Sequence, residues 1–191
     1  IQMVRTLDHA IERLGGRPVD AMDAPVRAAI RLGAYELAFL GGVPARASVN
    51  EAVELVKASL SRRAAGFANA VLRRVSEGIR ELIAGLPEST PQEAALRHSY
   101  PDWVAETWWE ERGADEALGL MRAQNEPPET AVRIVATGEA RVVDRIDPEE
   151  LERGDVWPQS RGSQLAAAAV DAQPGVRVLD LCAARGGKTT Q

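Results

Sequence analysis

Cysteine, histidine and aromatic residues are scarce in this sequence. Its 191 residues include one cysteine and two histidines, and aromatic residues make up 4%. A single cysteine excludes an intrachain disulfide framework, and two histidines with one thiol do not supply the usual ligands of structural zinc. We therefore expect no metal site, and an aliphatic core rich in Ala, Leu and Val.

Long apolar runs and an excess of basic charge are also missing. No apolar run approaches the roughly 18 residues of a membrane span, and no signal-peptide pattern opens the chain, so we expect a cytoplasmic protein that does not associate with membranes. The formal net charge is −5 and the pI is about 5.2. An acidic chain has no global attraction for nucleic acid, so any RNA contact must come from a local basic patch.

The most informative stretch that is present is the last one, from Val176 to Gln191. A short apolar run, Val176–Leu181, lies between Pro174-Gly175 and Gly186-Gly187. This pattern predicts a buried strand, then a glycine turn, then a helix that opens at Lys188. A strand, a glycine turn and a helix N-terminus are how α/β proteins build a site for an anionic or nucleotide-like group.

Two common phosphate-binding motifs match this stretch poorly. A Walker A loop needs Gly, four residues and then Gly-Lys-Ser/Thr, but Cys182 stands where the first glycine belongs. The dinucleotide motif needs three spaced glycines, and only the pair Gly186-Gly187 is present. One alternative is therefore a nucleotide hydrolase with an altered phosphate loop, in which Lys188 would bind ATP or GTP.

The string DLCAARGGKT, from Asp180 to Thr189, resembles the motif DLCAAPGGKT of the RNA cytosine-5 methyltransferases. It is most similar to the bacterial 16S ribosomal RNA branch called RsmB, Sun or Fmu, and it differs only at Arg185, where that branch has proline. The resemblance implies S-adenosylmethionine as cofactor and 16S ribosomal RNA as partner, with loop N–H groups binding the cofactor's methionine part. The implied cofactor-binding residues are Cys182, Ala183, Ala184, Arg185, Gly186, Gly187 and Lys188.

Cys182 has two interpretations. In cytosine-5 methylation a thiolate adds to C6 of the base, and Cys182 is the only thiol that this chain offers. We favour the other interpretation, a small buried residue at the end of the strand. In the family this cysteine belongs to the cofactor loop, and the catalytic cysteines come from later motifs. We therefore expect a fragment, cut at both ends, with no catalytic residue and no activity alone.

The first 84 residues have the spacing of amphipathic helices. We predict helices over 4–14, from Asp23 to about residue 40, from Ser48 as the capping residue, and over 62–84. Gly33 is expected to let a neighbouring helix approach. The apolar stripe of the third helix is predicted to comprise Val49, Val53, Val56 and Leu60. Short connections between such helices favour a compact bundle.

Three of these segments resemble the later helices of a NusB-like domain, an all-α RNA-binding module that precedes the methyltransferase domain in the RsmB branch. They are Leu32–Leu37, Val49–Glu54 and Asn69–Arg73. The implied fold is mainly α and has four parts. These are a NusB-like bundle over residues 1–84 that lacks its first helices, a linker over 85–92, a small α/β connecting subdomain over 93–158, and the first strand and glycine loop of a truncated Rossmann-like domain over 159–191. A non-enzymatic RNA- or protein-binding module with a vestigial tail is the second alternative.

Residues 93–172 carry weaker signals. We predict helices over 101–112, with Ser99 as cap, and over 114–124, then two short strands around Thr137-Gly138 and a helix over 160–172. The tryptophans are interpreted as packing residues of the helix pair, in preference to platforms for stacked bases. They are Trp103, Trp108 and Trp109.

A basic cluster in the third and fourth helices is the best candidate for contacts with RNA phosphates, because lysine and arginine supply such contacts. Its members are Lys57, Arg62, Arg63, Arg73 and Arg74, followed by Arg80. An ordinary solvated helix face explains the same charges, so both interpretations stay open.

Overall fold

The computed structural model describes residues 3–59 and 61–191, and the chain divides into two compact units, residues 1–126 and 127–191. Leu60 lies outside the described residues, so its place in the third helix stays a prediction. Among the helices that are described, none is long and apolar enough to cross a membrane.

Five helices form the main bundle of the first unit. They are α1 (Val4–Gly15), α2 (Ala24–Phe39), α3 (Ala45–Ser59), α4 (Arg62–Ser76) and α5 (Ile79–Ala84). The predicted helices over 4–14 and from Asp23 are confirmed, and Gly16 ends α1 in the left-handed conformation that glycine favours. The centre of the bundle is aliphatic. Its largest fully buried side chains include Leu7, Ile11, Ile30, Leu72 and Ile79.

Gly33 marks the closest approach within this core. A Cβ atom built on Gly33 would lie 3.0 Å from Cβ of Ala52 and 3.2 Å from both methyl groups of Leu72. Helices α3 and α4 therefore pack directly against the backbone of α2, as predicted from the sequence. Arg80 fastens α5 to the end of α2, because its guanidinium donates to the carbonyls of Leu37 at 2.8 Å and Leu40 at 3.1 Å.

Two helix boundaries differ from the prediction. Helix α3 begins at Ala45 rather than after Ser48, because the carbonyl of Pro44 already accepts the N–H groups of Ala47 and Ser48. Ser48 is thus in the first turn, 1% exposed, and caps nothing. The single helix predicted over 62–84 is broken at Gly78, whose φ of −153° leaves the helical region and turns Ile79 into the core.

Three further helices complete the first unit. They are α6 (Pro91–His98), α7 (Asp102–Arg112) and α8 (Ala114–Asn125). Sequence analysis missed α6, although Thr90 and Glu93 form a capping box at its start. Ser99 ends α6 in the left-handed conformation, so its predicted role as the cap of α7 is wrong. Its hydroxyl instead accepts the N–H of Arg5 at 2.9 Å.

The α6–α8 helices are joined to α1 by polar contacts. The buried hydroxyl of Thr6 donates to the carbonyl of Leu96 at 2.7 Å, and Arg5 donates to the carbonyl of Tyr100 at 2.7 Å. These contacts explain why residues 93–126 group with the bundle in the structure. The domain boundaries at 84 and 92 and the connecting subdomain over 93–158 were predicted from sequence signals and from the family resemblance. They stay predictions.

The tryptophans of α7 divide into two kinds. Trp108 and Trp109 pack against a small cluster built on Ala94, Ala105 and Met121, as expected for packing residues. Trp103, by contrast, is 69% exposed and does not belong to that cluster.

The second unit contains a three-stranded antiparallel sheet in the order β2-β1-β3, with β1 (Ala131–Ile134), β2 (Ala140–Val142) and β3 (Val156–Pro158). The two strands predicted around Thr137-Gly138 are present but short, and β3 was missed. Helix α9 (Pro148–Arg153) precedes β3, and α10 (Arg161–Ala168) follows it. The mainly α fold with a small connector is thereby confirmed.

The strand predicted over 176–181 is not formed in the structure. Four apolar side chains of this segment are 58 to 84% exposed; they belong to Val176, Val178, Leu179 and Leu181. A strand needs a paired neighbour for its N–H and C=O groups, and none of β1, β2 and β3 pairs with these residues.

Candidate cofactor site

Asp180 closes the loop that carries the DLCAARGGKT string. One oxygen of its carboxylate accepts the N–H of Cys182 at 2.9 Å, and the other accepts the hydroxyl of Thr189 at 2.6 Å. The two ends of the string are therefore joined by one side chain. The carboxylate therefore stabilises the loop from within, and we call it the brace of the loop.

A left-handed turn lies between these two ends. Ala184 has a φ of 44° and Gly186 a φ of 80°, and the N–H of Gly186 donates to the carbonyl of Ala183 at 2.7 Å. Both the N–H and the hydroxyl of Thr190 then donate to the carbonyl of Gly186 at 2.9 Å. The glycine turn predicted from the sequence is thus present. The helix predicted to open at Lys188 is absent, because the chain there forms turns.

The loop forms one wall of a cavity of about 620 Å³ inside the second unit. Six of the seven predicted cofactor residues line it, and Gly186 is the exception. The opposite wall was not predicted and comes from α9, β3 and the start of α10. Its side chains belong to Leu151, Trp157, Pro158, Gln159, Ser160 and Ser163. The available sequence signal was Ser160, which caps α10 by accepting the N–H of Ser163.

The two walls of the cavity come close together at Gly187 and Trp157. A Cβ atom on Gly187 would lie 3.4 Å from Nε1 of Trp157, so the backbone of the loop faces the indole at close range.

Cys182 is exposed, so the interpretation of this residue as a small buried one is wrong. The physical reason is that residues 176–181 before it form no strand, so Cys182 does not lie at the covered end of one.

Donors remain available along the loop. The backbone N–H groups of Ala183, Ala184, Arg185, Gly187 and Lys188 have no intramolecular acceptor within the described part of the chain. Lys188 adds a cationic side chain on the same wall of the cavity. Several free N–H groups in a left-handed turn can bind an anionic group such as a carboxylate.

The pKa of Asp180 is lowered by the hydrogen bonds from the Thr189 hydroxyl and the Cys182 N–H and by the positive charge of Lys188. A carboxyl group whose pKa is lower in the folded state stabilises it above its ordinary pKa of about 3.8, and this contribution is lost as the pH falls through the folded-state value.

We therefore expect the loop to loosen below about pH 4. In hydrogen exchange corrected for intrinsic rates, protection of the Cys182 N–H should fall as the pH drops below that value. The variant Asp180→Asn lacks the charge, so its protection should be lower at neutral pH and nearly independent of pH. An equal pH dependence in both proteins would show that Asp180 is not the brace.

The basic residues of the first unit have different surroundings. Lys57 pairs with Glu54 at 2.9 Å, and Arg74 donates to the carbonyl of Gly15, at the end of α1, at 3.4 Å. Arg80 already donates hydrogen bonds to carbonyls at the end of α2, as described above. The remaining three, Arg62, Arg63 and Arg73, are exposed and have no side-chain partner among the described residues.

Helix geometry places these arginines together. At 100° per residue, Arg62, Arg63, Arg73 and Arg74 fall within a sector of about 120° on α4. The same sector holds Gly66 and Ala70, which are exposed and small. The guanidinium groups therefore stand on one open face of α4, and we call Arg62, Arg63 and Arg73 the α4 arginine face.

Comparison with known proteins gives two kinds of match. Residues 1–77 match the NusB family. The chain is also similar to proteins named ribosomal RNA small subunit methyltransferase B or, for some relatives, probable ribosomal RNA small subunit methyltransferase B. It is 33% identical to that of Thermus thermophilus, over 98% of this chain and 44% of the relative. For Bacillus subtilis the identity is 30%, over 84% of this chain and 42% of the relative.

A third relative, from Synechocystis, is 29% identical over 100% of this chain and 49% of its own length. The chain thus spans about half the length of the curated relatives it matches. The resemblance found in the sequence is confirmed: residues 1–77 match the NusB family, and the chain as a whole is similar to the N-terminal part of the ribosomal RNA small subunit methyltransferase B proteins.

Proposed function

We propose that this chain belongs to an enzyme that transfers a methyl group from S-adenosylmethionine to C5 of a cytosine in 16S ribosomal RNA. The observation that carries the proposal is the cavity whose wall is formed by the DLCAARGGKT loop. Residues 159–191 would begin the methyltransferase domain, after a NusB-like domain over 1–84, a linker over 85–92 and a connecting subdomain over 93–158.

The residues around the cavity fit the proposed cofactor. Its volume of about 620 Å³ lies within the range of small-molecule sites. Free backbone N–H groups and Lys188 would hold the carboxylate of the methionine part, while Trp157 offers an apolar wall. When bound, S-adenosylmethionine supplies an activated methyl group on a sulfonium. The proposed cofactor residues remain those from Cys182 to Lys188.

The chain's own contribution would be binding and orientation. Asp180 keeps the loop closed, Gly187 lets the backbone lie against Trp157, and no side chain on the loop is needed as a base. Cys182 is the only thiol, and we assign it to the loop. We therefore expect the 191-residue chain to bind the cofactor and to transfer no methyl group alone.

The NusB domain would supply the contact with ribosomal RNA. Lys57, Arg62, Arg63, Arg73 and Arg74 were proposed from the sequence. Their surroundings favour the α4 arginine face as the main contact, because its three guanidinium groups are exposed and uncommitted within the described structure. Lys57 and Arg74 would contribute less, since each already has a partner.

A pair of glycine variants tests the cofactor site. Gly186 and Gly138 both have a positive φ, 80° and 74°, so alanine costs each a similar backbone strain of roughly 1 kcal/mol. The difference is that Gly186 belongs to the turn of the cofactor loop, where a new Cβ would also contact Cγ2 of Thr190 at 3.4 Å, whereas Gly138 lies outside the loop with nothing within 4 Å. We expect Gly186→Ala to weaken S-adenosylmethionine binding about tenfold and Gly138→Ala by less than about twofold, measured by calorimetry.

Equal losses in the two variants would mean that general instability, not the loop, sets the affinity. No binding to the wild-type chain at millimolar ligand would remove the cofactor assignment.

A second candidate is a non-enzymatic RNA-binding module. It is favoured by the exposure of residues 176–181, which are unpaired in a structure whose bundle is well packed. Both proposals predict that the chain alone transfers no methyl group, so activity does not separate them. Binding does: a module would bind RNA through residues of α4 and show no heat of binding with S-adenosylmethionine.

A further inference from the structure

Arg133 is a buried cation at the centre of the second unit. It lies in β1, the middle strand, opposite Ala140 of β2 and Trp157 of β3. Its residue is only 5% exposed. Arginine stays protonated at any pH that a protein tolerates, so its charge must be satisfied where it lies.

No carboxylate satisfies this charge in the described part of the second unit. The guanidinium instead donates to three neutral acceptors: Nε to Oε1 of Gln159 at 3.0 Å, Nη1 to the carbonyl of Thr190 at 3.3 Å, and Nη2 to the hydroxyl of Thr190 at 3.1 Å. The ion pairs described in this unit are made by other arginines, which are exposed or half-buried. The stability of this buried guanidinium, which we call the Arg133 fork, depends on the position of each acceptor, because losing one leaves a charged donor unpaired.

The fork leads directly to the cofactor loop. The hydroxyl of Thr190 accepts from Arg133 and donates to the carbonyl of Gly186, and the N–H of Thr190 donates to the same carbonyl. A hydroxyl has one donor and two acceptor lone pairs, so both bonds can be made at once. Gly186 in turn carries the positive φ of the turn. A continuous chain of hydrogen bonds therefore runs from the central strand to the turn.

Gln159 extends this network to the other wall of the cavity. Its amide oxygen accepts from Arg133, and its residue lines the cavity together with Trp157 and Ser160. One guanidinium thus contacts Gln159 on one wall and, through Thr190, the turn that forms the opposite wall. It is the only side chain among those described that hydrogen-bonds to both residues.

We propose that Arg133 is a positioning residue of the cofactor site, which acts through Thr190 to hold the Gly186 turn and through Gln159 to hold the facing wall. This inference rests on the proposed function, because it assigns Arg133 to the binding of S-adenosylmethionine. It does not make Arg133 a contact of the cofactor.

The test uses the 191-residue chain and four variants in two pairs, each pair being a test variant and its control. Thr190→Val removes the hydroxyl and keeps the shape, while Thr190→Ser keeps the hydroxyl. Arg133→Met removes the guanidinium, and Arg145→Met is its control, since Arg145 is exposed and makes no hydrogen bond to the loop within the described part of the chain. Each protein is examined by calorimetry with S-adenosylmethionine and, without ligand, by hydrogen exchange of the two hydrogen-bonded N–H groups of the turn, those of Gly186 and Thr190.

We expect Thr190→Val and Arg133→Met to weaken binding about tenfold and to speed exchange of the loop about tenfold, with exchange in α1–α4 unchanged. Thr190→Ser and Arg145→Met should stay within about twofold of the wild type. If Arg133→Met unfolds the second unit, the Thr190 pair still tests the link, because serine keeps the hydroxyl that joins Arg133 to Gly186 and valine replaces that hydroxyl by a methyl group.

The result that would overturn the proposal is unchanged loop exchange in Thr190→Val, or an equal loss in Thr190→Ser. The proposed function fails differently: the wild type would bind no S-adenosylmethionine, while the loop exchange of the variants would still report whether Arg133 holds the turn.

Discussion

Replacing Leu72 by alanine should destabilise the helical bundle by about 3 kcal/mol, a large part of the 5–15 kcal/mol that keeps a domain folded. Leu72 is 0% exposed, and both its methyl groups lie 3.2 Å from the Cβ position of Gly33. Removing them leaves a cavity where α4 crosses α2, and the helix backbones cannot close it without moving together.

The measurement is urea unfolding followed by far-ultraviolet circular dichroism, because the tryptophans lie outside α1–α5 and do not report on the bundle. Leu32→Ala is the matched control, since Leu32 lies one residue before Gly33 and is 39% exposed. The control should cost less than about 1 kcal/mol. Similar losses in the two variants would show that Leu72 is not at the centre of the core.

The spacing of apolar residues and the position of Gly33 predicted the bundle well, because the residues they mark are the ones that pack in its core. The spacing of apolar residues located α1 and α2, and Gly33 was correctly expected at a close contact. Helix ends were less predictable. Ser48 fits a capping pattern, yet Pro44 starts the helix a turn earlier, and Gly78 interrupts a pattern that reads as one helix through to residue 84.

The C-terminal unit shows why a motif does not predict its own surroundings. The string from Asp180 to Thr189 located the loop, but a strand depends on partners that its own residues cannot supply, and 176–181 stay unpaired in the structure. Arg133 could not be predicted, because an arginine within a short strand normally indicates a solvent-facing position. Its burial is compensated by Gln159 and Thr190, which lie 26 and 57 residues away.

Removing the three charges of the α4 arginine face should weaken binding to 16S ribosomal RNA about a hundredfold at low salt. The variant is Arg62→Gln, Arg63→Gln and Arg73→Gln. Each guanidinium is exposed and uncommitted within the described structure, so its loss removes a phosphate contact and little else. The slope of log Kd against log salt should fall by roughly two to three, because each lost contact releases about 0.7 to 0.9 fewer counterions.

A variant with the same change in net charge separates a specific face from simple electrostatics. Arg112→Gln, Arg145→Gln and Arg153→Gln also removes three exposed arginines, but from α7, from the residues after β2 and from α9. Binding of a 16S ribosomal RNA transcript at several salt concentrations should leave this control within about threefold of the wild type. Equal losses in both variants would mean that net charge alone governs binding, and α4 would then be an ordinary solvated helix face. Arg112 and Arg153 of the control pair with the carboxylates of Glu116 and Asp155, so the control tests net charge and not the loss of an unpaired guanidinium. A loss confined to the α4 variant, with unchanged helicity and melting temperature, therefore shows that net charge alone does not explain binding and supports RNA contact at that face.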